Sequence, residues 1–171
     1  MLNPYEHEDA ETLAPAVNEI LGPLGNLLDR AGQEGVDVID VNDNHEDWSA
    51  SRETLVERAR AGRRPDLVEP VVPGDDTSLV LKARHSIFYG TPLEYLLGQR
   101  EIEHLVLAGQ VTEQCILYSA LDAYVRHLEV GVPHDAVAAI DQDLADAALR
   151  MMERNMSAEI VESRKFHSLL C

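Results

Sequence analysis

The segment Gly109-Gln110-Val111-Thr112-Glu113-Gln114-Cys115 places a thiol where an apolar run gives way to a helical pattern. The run at residues 104–108 predicts a strand, and the pattern at 112–127 predicts a helix. A helix N-terminus offers free N–H groups and partial positive charge, and both favour the thiolate form of cysteine. Cys115 is therefore a candidate nucleophile, and the N–H groups of Val111 and Cys115 are a candidate oxyanion hole.

The competing interpretation of Cys115 is a small buried apolar residue, which is common for a free cysteine. The turn residues count against that interpretation. Thr112 can cap the following helix through its hydroxyl group, and Gly109 lets backbone N–H groups face the thiol.

Two further polar side chains follow predicted strands. Asp43 comes after a strand predicted at 36–41, and Lys82 ends a strand predicted at 78–82. A lysine beside the thiol would stabilise a thiolate, or hold a carboxylate that accepts the thiol proton. A lysine at a strand end is also compatible with an ordinary surface charge. Because ligands bind at the carboxyl ends of parallel strands, Asp43, Lys82 and Cys115 together predict one site.

The order of the elements predicts an α/β fold with a parallel sheet that is covered on both faces, in a single domain spanning residues 1–171. Ser51 is the expected N-cap of the second helix, and residues 62–77 are expected to form a long connection. Helices are predicted at 11–31, 51–61, 91–97, 112–127 and 142–154, and strands at 36–41, 78–82, 104–108, 128–132 and 158–161.

The net charge and composition of the chain limit the kinds of partner that it could bind. The 171 residues carry a formal charge of −17 at pH 7, which argues against nucleic acid and against anionic membranes. No apolar run approaches the length of a membrane span, and the two cysteines do not make a disulfide framework because Cys171 is terminal and expected to fray. We predict a cytoplasmic protein that acts on a small molecule. An anionic substrate would need local cations such as Lys82 and Arg84.

A metal site is not predicted. Asp43 and His45 are two potential ligands, whereas a zinc site usually has three protein ligands and a water. We therefore expect neither a metal nor another cofactor. Trp48, Phe88 and Tyr118, together with Asp43, are candidates for the substrate pocket, although the three aromatic residues could equally belong to the core.

The segment Lys82-Ala83-Arg84-His85-Ser86-Ile87-Phe88, followed by the cysteine segment at 109–115, resembles the isochorismatase-like cysteine hydrolases, which include nicotinamidases. The resemblance continues through 120–123 and 133–136, and it covers nearly the whole chain.

The resemblance implies a three-layer α/β/α, Rossmann-like fold with a six-stranded parallel sheet. It also implies a Cys-Lys-Asp catalytic triad in which Cys115 is the nucleophile and Lys82 is the lysine. Such an enzyme cleaves a small amide, ester or related compound through a covalent cysteine adduct and water. The family further implies a non-proline cis peptide at Gln110–Val111 and a homo-oligomer.

The chain departs from the family at its beginning. The triad aspartate ends the first strand of the family's sheet, and the alignment places it immediately before Met1. One hypothesis is that the natural protein starts upstream. The other is a five-stranded chain without that acid, in which Asp40 or Asp43 could substitute only if the geometry allows. The second hypothesis favours a pseudoenzyme retained for binding or oligomeric assembly.

A second departure concerns histidines. The nicotinamidase branch has an Asp-x-His followed by further histidines, and here Asp43-Asn44-His45 matches only the opening. This counts against nicotinamide as the substrate and leaves other amides open.

Overall fold

Parallel strands lie between two layers of helices in the computed structural model, which describes residues 1–166. Cys171, which we expected to be frayed, lies outside the described residues. The strands are β1 (Ile39–Asp43), β2 (Ser78–Lys82), β3 (His104–Val106), β4 (Gly109–Gln110), β5 (Glu129–Pro133), β6 (Val137–Ala138) and β7 (Glu159–Val161).

Residues 1–166 contain six α-helices, the first of which precedes all the strands: α1 (Ala10–Glu34), α2 (Arg52–Ala61), α3 (Pro65–Val68), α4 (Leu93–Gln99), α5 (Leu117–Tyr124) and α6 (Gln142–Met156). A π-helical turn, Thr112–Ile116, leads directly into α5. Within residues 1–166, no helix is both long enough and apolar enough to cross a membrane.

Every strand pair is parallel, which confirms the predicted three-layer α/β architecture. The ladders fall into three groups: β1 with β2, β3 with β5 and β7, and β4 with β6. In the first pair the last residues of the two strands are in register, Asp43 opposite Lys82.

The core has two main parts, one on each face of the strands. On one face, α1 buries an apolar stripe against α2 and α3. On the other face, α4, α5 and α6 pack against strand residues such as Val130 and Val132. The helix residues of the first part include Leu13, Val17, Ile20, Leu55 and Leu67.

Local signals set several helix ends. Ser51 caps α2 as predicted, because its Oγ accepts from the N–H of Thr54 while the Thr54 hydroxyl oxygen accepts from the N–H of Ser51. Gly35 ends α1 with a φ of 72°, a left-handed conformation that glycine adopts without steric cost. The Asp141 side chain caps α6 by accepting from Leu144 N–H.

Some boundaries differ from the sequence prediction. The first strand is displaced toward Asp43, and the connection at 62–77 contains the short helix α3. The helix predicted at 112–127 is divided into the π-helical turn and α5. The two-residue strands β4 and β6 were not predicted, because such short pairs leave no periodic pattern in a sequence.

The predicted cap by Thr112 is wrong. No side-chain cap precedes the π-helical turn, and the Thr112 hydroxyl instead donates to the carbonyl of Ala138, 3.0 Å away. Thr112 is buried, so the hydroxyl group satisfies an acceptor at the end of β6 rather than a free N–H of its own turn.

Candidate active site

The ends of β1 and β2 bring a carboxylate and an ammonium together. Lys82 Nζ donates to Asp43 Oδ2 over 3.0 Å, at the register position where the two residues face each other. The Lys82 side chain is 6% exposed and that of Asp43 is 34% exposed. A lysine so deeply buried needs a paired negative charge, and Asp43 supplies it.

The thiol of Cys115 lies on the other side of the same ammonium. The distance from Lys82 Nζ to Cys115 Sγ is 3.6 Å, which is within hydrogen-bonding range for sulfur. Cys115 is a free cysteine and is half-buried in the π-helical turn. Lys82 therefore contacts a candidate nucleophile and a carboxylate at the same time.

Two neighbours of Cys115 connect its turn to the end of β6 and to the residues that follow it. The Thr112 hydroxyl donates to Ala138 O, and Glu113 Oε1 accepts from the N–H groups of Ile140 and Asp141 at 2.9 Å each. These contacts join residues far apart in sequence, so the position of the thiol is set by tertiary structure.

The segment before the turn has the cis peptide that the resemblance implied, Gln110–Val111. Tyr5 Oη donates to Gln110 Oε1 over 3.3 Å, which connects the N-terminal segment to this position. The Tyr5 side chain is buried, and burial raises its pKa to about 12 despite the hydrogen bond to Gln110.

The second carboxylate oxygen of Asp43 forms a hydrogen bond with the loop that follows β1. Asp43 Oδ1 accepts from the N–H of His45, 2.9 Å away, so the two oxygens of this carboxylate have separate partners. The His45 ring forms a hydrogen bond with the carbonyl of Leu2. In the part of the chain that the structure describes, no group of three His, Cys, Asp or Glu residues could hold a metal ion.

Asp40, the other carboxylate that we considered as a substitute for the triad acid, lies earlier in β1. Burial raises its pKa, and the nearby charges of the Met1 amino group and Arg52 lower it in part. The carboxylate paired with Lys82 is that of Asp43.

The candidate pocket residues occupy different environments. Phe88 is buried in the core, where the Arg126 guanidinium lies 4.7 Å from its ring centre. Trp48 is 83% exposed. Tyr118 is partly exposed and packs edge-on against the His85 ring at 5.2 Å. The structure thus brings Asp43, Lys82 and Cys115 together, while the pocket role of the three aromatic residues stays a prediction, as does the oxyanion hole.

Sequence reasoning missed the residues that position the site. Glu113 lies inside the cysteine segment, but its contacts with the N–H groups of residues 140 and 141 could not be predicted, because nothing in the sequence connects these positions. Asn42 was also missed: its side chain accepts from the N–H of Leu2 and donates to the carbonyl of Leu2. The only hint in the sequence was an amide side chain between Asp40 and Asp43, directly after the predicted strand.

Comparison with known proteins identifies the family. The isochorismatase domain model matches residues 3–165, and the chain belongs to the isochorismatase family. The isochorismatase family protein YaaI of Bacillus subtilis (strain 168) is 31% identical over 160 residues, which cover 94% of this chain and 88% of that protein.

Solved structures agree with the fold. The nicotinamidase PncA from Bacillus subtilis superposes with a TM-score of 0.69 at 27% identity and covers 85% of each chain. The N-carbamoylsarcosine amidase from Thermoplasma acidophilum superposes with a TM-score of 0.68 at 25% identity, covering 90% of this chain and 87% of its own. These relatives are hydrolases that act on small molecules.

Proposed function

We propose that this protein is a cysteine hydrolase that cleaves a small amide or a related acyl compound through a covalent adduct on Cys115. The observation that carries the proposal is the continuous contact from Asp43 Oδ2 to Lys82 Nζ, 3.0 Å, and from Lys82 Nζ to Cys115 Sγ, 3.6 Å. The names of two relatives, a nicotinamidase and an amidase, support an amide as the substrate class.

The geometry supports a two-stage reaction. The Cys115 thiolate, stabilised by the Lys82 ammonium, attacks the carbonyl carbon and forms a C–S bond. When the C–N bond breaks, the leaving amine takes a proton from Lys82, and a thioester remains. Water then attacks the thioester and gives its proton to the neutral Lys82 amine. The C–S bond breaks, the carboxylic acid leaves, and the thiolate is restored.

Asp43 has a supporting role in this scheme. Its carboxylate contacts Lys82 and keeps the ammonium beside the sulfur, and it balances the lysine charge whenever Lys82 is protonated. The contact that supports this role is the hydrogen bond of 3.0 Å from Lys82 Nζ to Asp43 Oδ2.

The test is adduct formation and turnover in a Cys171→Ser background, which leaves Cys115 as the single thiol of the 171 residues. The protein is incubated with a panel of small primary amides, ureido acids and esters, and intact mass and product release are followed. We expect turnover of at least one compound, an acyl adduct that maps to Cys115, and loss of both in Cys115→Ala.

The alternative is a non-catalytic member that binds the same class of compound. It predicts binding without an adduct and without product, with wild-type protein and Cys115→Ala behaving alike. A Cys115→Ala variant that retained full turnover would contradict the proposed mechanism directly.

A further inference from the structure

The contact between Lys82 and Cys115 depends on the position of the turn that carries the cysteine. Lys82 is held at the end of β2, where it pairs with Asp43, whereas Cys115 lies in the π-helical turn, outside the strands. The distance from Nζ to Sγ is 3.6 Å, so a displacement of the turn by about 1 Å would separate the two atoms. A misplacement of about this size in a catalytic group can lower a rate by about 100-fold.

Side chains on both sides of Cys115 anchor its segment to distant parts of the chain. Before the cysteine, the Thr112 hydroxyl donates to the carbonyl of Ala138. After the cysteine, Ser119 Oγ in α5 accepts from the N–H of Ile87 over 3.1 Å. Each of these anchors is a neutral hydroxyl group, and each fixes one end of the segment.

Glu113 lies between these anchors, two residues before the thiol, and its side chain reaches the start of α6. Its Oε1 accepts from the N–H groups of Ile140 and Asp141, the residues that immediately precede α6, at 2.9 Å each. The amino end of a helix carries partial positive charge, which favours a carboxylate at this position. Because both hydrogen bonds have a charged acceptor, they are stronger than those of the two hydroxyl groups.

The second oxygen of Glu113 has a different environment. Within residues 1–166 its Oε2 is buried and has no hydrogen-bond partner, an arrangement that costs free energy. The gain from this side chain therefore comes through Oε1 alone. Two donors on consecutive residues fix that oxygen in direction as well as in distance, and α6 in turn packs against the π-helical turn and α5. Glu113 is thus better suited to fixing the position of the turn than to stabilising the fold.

We propose that Glu113 is a positioning residue of the candidate active site. By holding the cysteine turn against the start of α6, it sets the distance between Cys115 Sγ and Lys82 Nζ. The importance of this distance for turnover rests on the proposed hydrolase function, whereas the distance itself can be probed without turnover.

The test probes this distance with o-phthalaldehyde in the Cys171→Ser background. The reagent joins a thiol and a primary amine that lie side by side into one fluorescent isoindole with loss of water, and peptide mapping identifies the product that links Cys115 to Lys82. We expect Glu113→Ala to slow its formation by about tenfold or more. Glu113→Gln keeps an acceptor at Oε1 and should restore most of the rate. Glu153→Ala, which removes an exposed carboxylate from α6, is the matched control and should leave the rate unchanged.

A double-mutant cycle tests whether Glu113 acts through Lys82. Alkylation of Cys115 by iodoacetamide at pH 7 is measured in the same background for Glu113→Ala, for Lys82→Met and for the double variant. We expect Glu113→Ala to slow alkylation by about tenfold when Lys82 is present and to have no further effect in Lys82→Met, because the contact is already lost there. A side chain with only a structural role would change the unfolding transition and would not show this dependence on Lys82.

Formation of the isoindole at the wild-type rate in Glu113→Ala would overturn the proposal, because the distance would then not depend on this side chain. A Glu113→Gln variant as slow as Glu113→Ala would also overturn it, as would an equal loss of alkylation with and without Lys82.

These outcomes are separate from that of the proposed function. A protein that turns over no compound of the panel but shows the expected isoindole rates would exclude the hydrolase and support the positioning role. Turnover by the wild type, together with an unchanged isoindole rate in Glu113→Ala, would support the hydrolase and exclude the positioning role.

Discussion

Asp43 and Lys82 are paired twice, once as the last register position of β1 and β2 and once through their side chains at 3.0 Å. Because the backbone register fixes both Cα positions, the lysine is held at the strand end without relying on a flexible loop. Its third contact, 3.6 Å to Cys115 Sγ, joins this ladder to the π-helical turn that follows β4.

The contact between Lys82 and Cys115 predicts the reactivity of the thiol. Lys82→Met removes the ammonium that stabilises the thiolate, so alkylation of Cys115 by iodoacetamide at pH 7 should slow by about tenfold or more. The measurement is the rate of mass increase in the Cys171→Ser background. Lys165→Met is the matched control, because Lys165 is the chain's other lysine and pairs with Glu162 at the surface. Equal rates in both variants would contradict activation by Lys82.

Asp43 should matter for both turnover and stability. In Asp43→Asn the amide can still accept from His45 N–H, but the charge that balances Lys82 is lost. We expect kcat on any substrate found in the panel to fall by about 100-fold, and we expect the free energy of unfolding to fall as well, because the buried Lys82 ammonium loses its paired charge. Asp47→Asn, in the same loop and bonded to Ser49, is the control. A wild-type kcat in Asp43→Asn would exclude the role proposed for this carboxylate.

The architecture could be predicted from the sequence because alternating strands and helices can be arranged in only a few ways. Ser51, Lys82 and the strand at 78–82 lie where the pattern placed them. The beginning of β1 was displaced because Val36-Asp37-Val38 has the alternation of a strand but precedes the point at which β2 provides a partner. Pairing between distant segments decides such boundaries, and local pattern carries little information about it.

The residue types of the candidate site could be predicted from the sequence, but the residues that hold them in position could not. Cys115 and Lys82 were found because strand ends converge at one edge of a parallel sheet. The contact between Asp43 and Lys82 was only one option, since its geometry depends on register. Glu113 and Thr112 hold the cysteine turn through residues 138–141, and no local rule connects positions that far apart.

The hydrogen bond from the Thr112 hydroxyl predicts that this side chain contributes to stability, and two substitutions at position 112 test it. Thr112→Val keeps the shape but leaves the buried Ala138 carbonyl without this donor, so unfolding should become easier by about 1–3 kcal/mol. Thr112→Ser retains the hydroxyl and should lose less. Chemical denaturation measures both. A Val variant as stable as the wild type would show that the Ala138 carbonyl does not depend on this hydrogen bond.

Burial of Tyr5 predicts that its phenol ionises at a higher pH than the phenol of an exposed tyrosine. Its pKa is raised to about 12 from an ordinary value near 10, so the neutral phenol is favoured in the folded state. The associated stability is complete below about pH 10 and is lost as the pH rises toward 12. The absorbance difference between wild type and Tyr5→Phe at 295 nm, followed from pH 8 to pH 13, isolates this ionisation. A midpoint near pH 10 would contradict burial of Tyr5 beside Gln110.

Gly62 packs so closely against Pro4 that the N-terminal segment can keep its position only if residue 62 has no side chain. A Cβ on Gly62 would lie 2.2 Å from the Pro4 carbonyl oxygen and 2.5 Å from its Cα, and Arg63 N–H already donates to that oxygen. Gly62→Ala must therefore displace the segment that carries Tyr5, and we expect a loss of about 1–3 kcal/mol in the free energy of unfolding.

The control for that variant is Gly25→Ala, inside α1, where a Cβ meets nothing within 4 Å. Alanine is the better helix former, so this change should stabilise the protein by up to about 1 kcal/mol. Opposite signs of the two changes in thermal or chemical denaturation would separate close packing at Gly62 from a general effect of glycine replacement. If Gly62→Ala were as stable as wild type, the segment from Met1 to Tyr5 would not be held against α2 in solution.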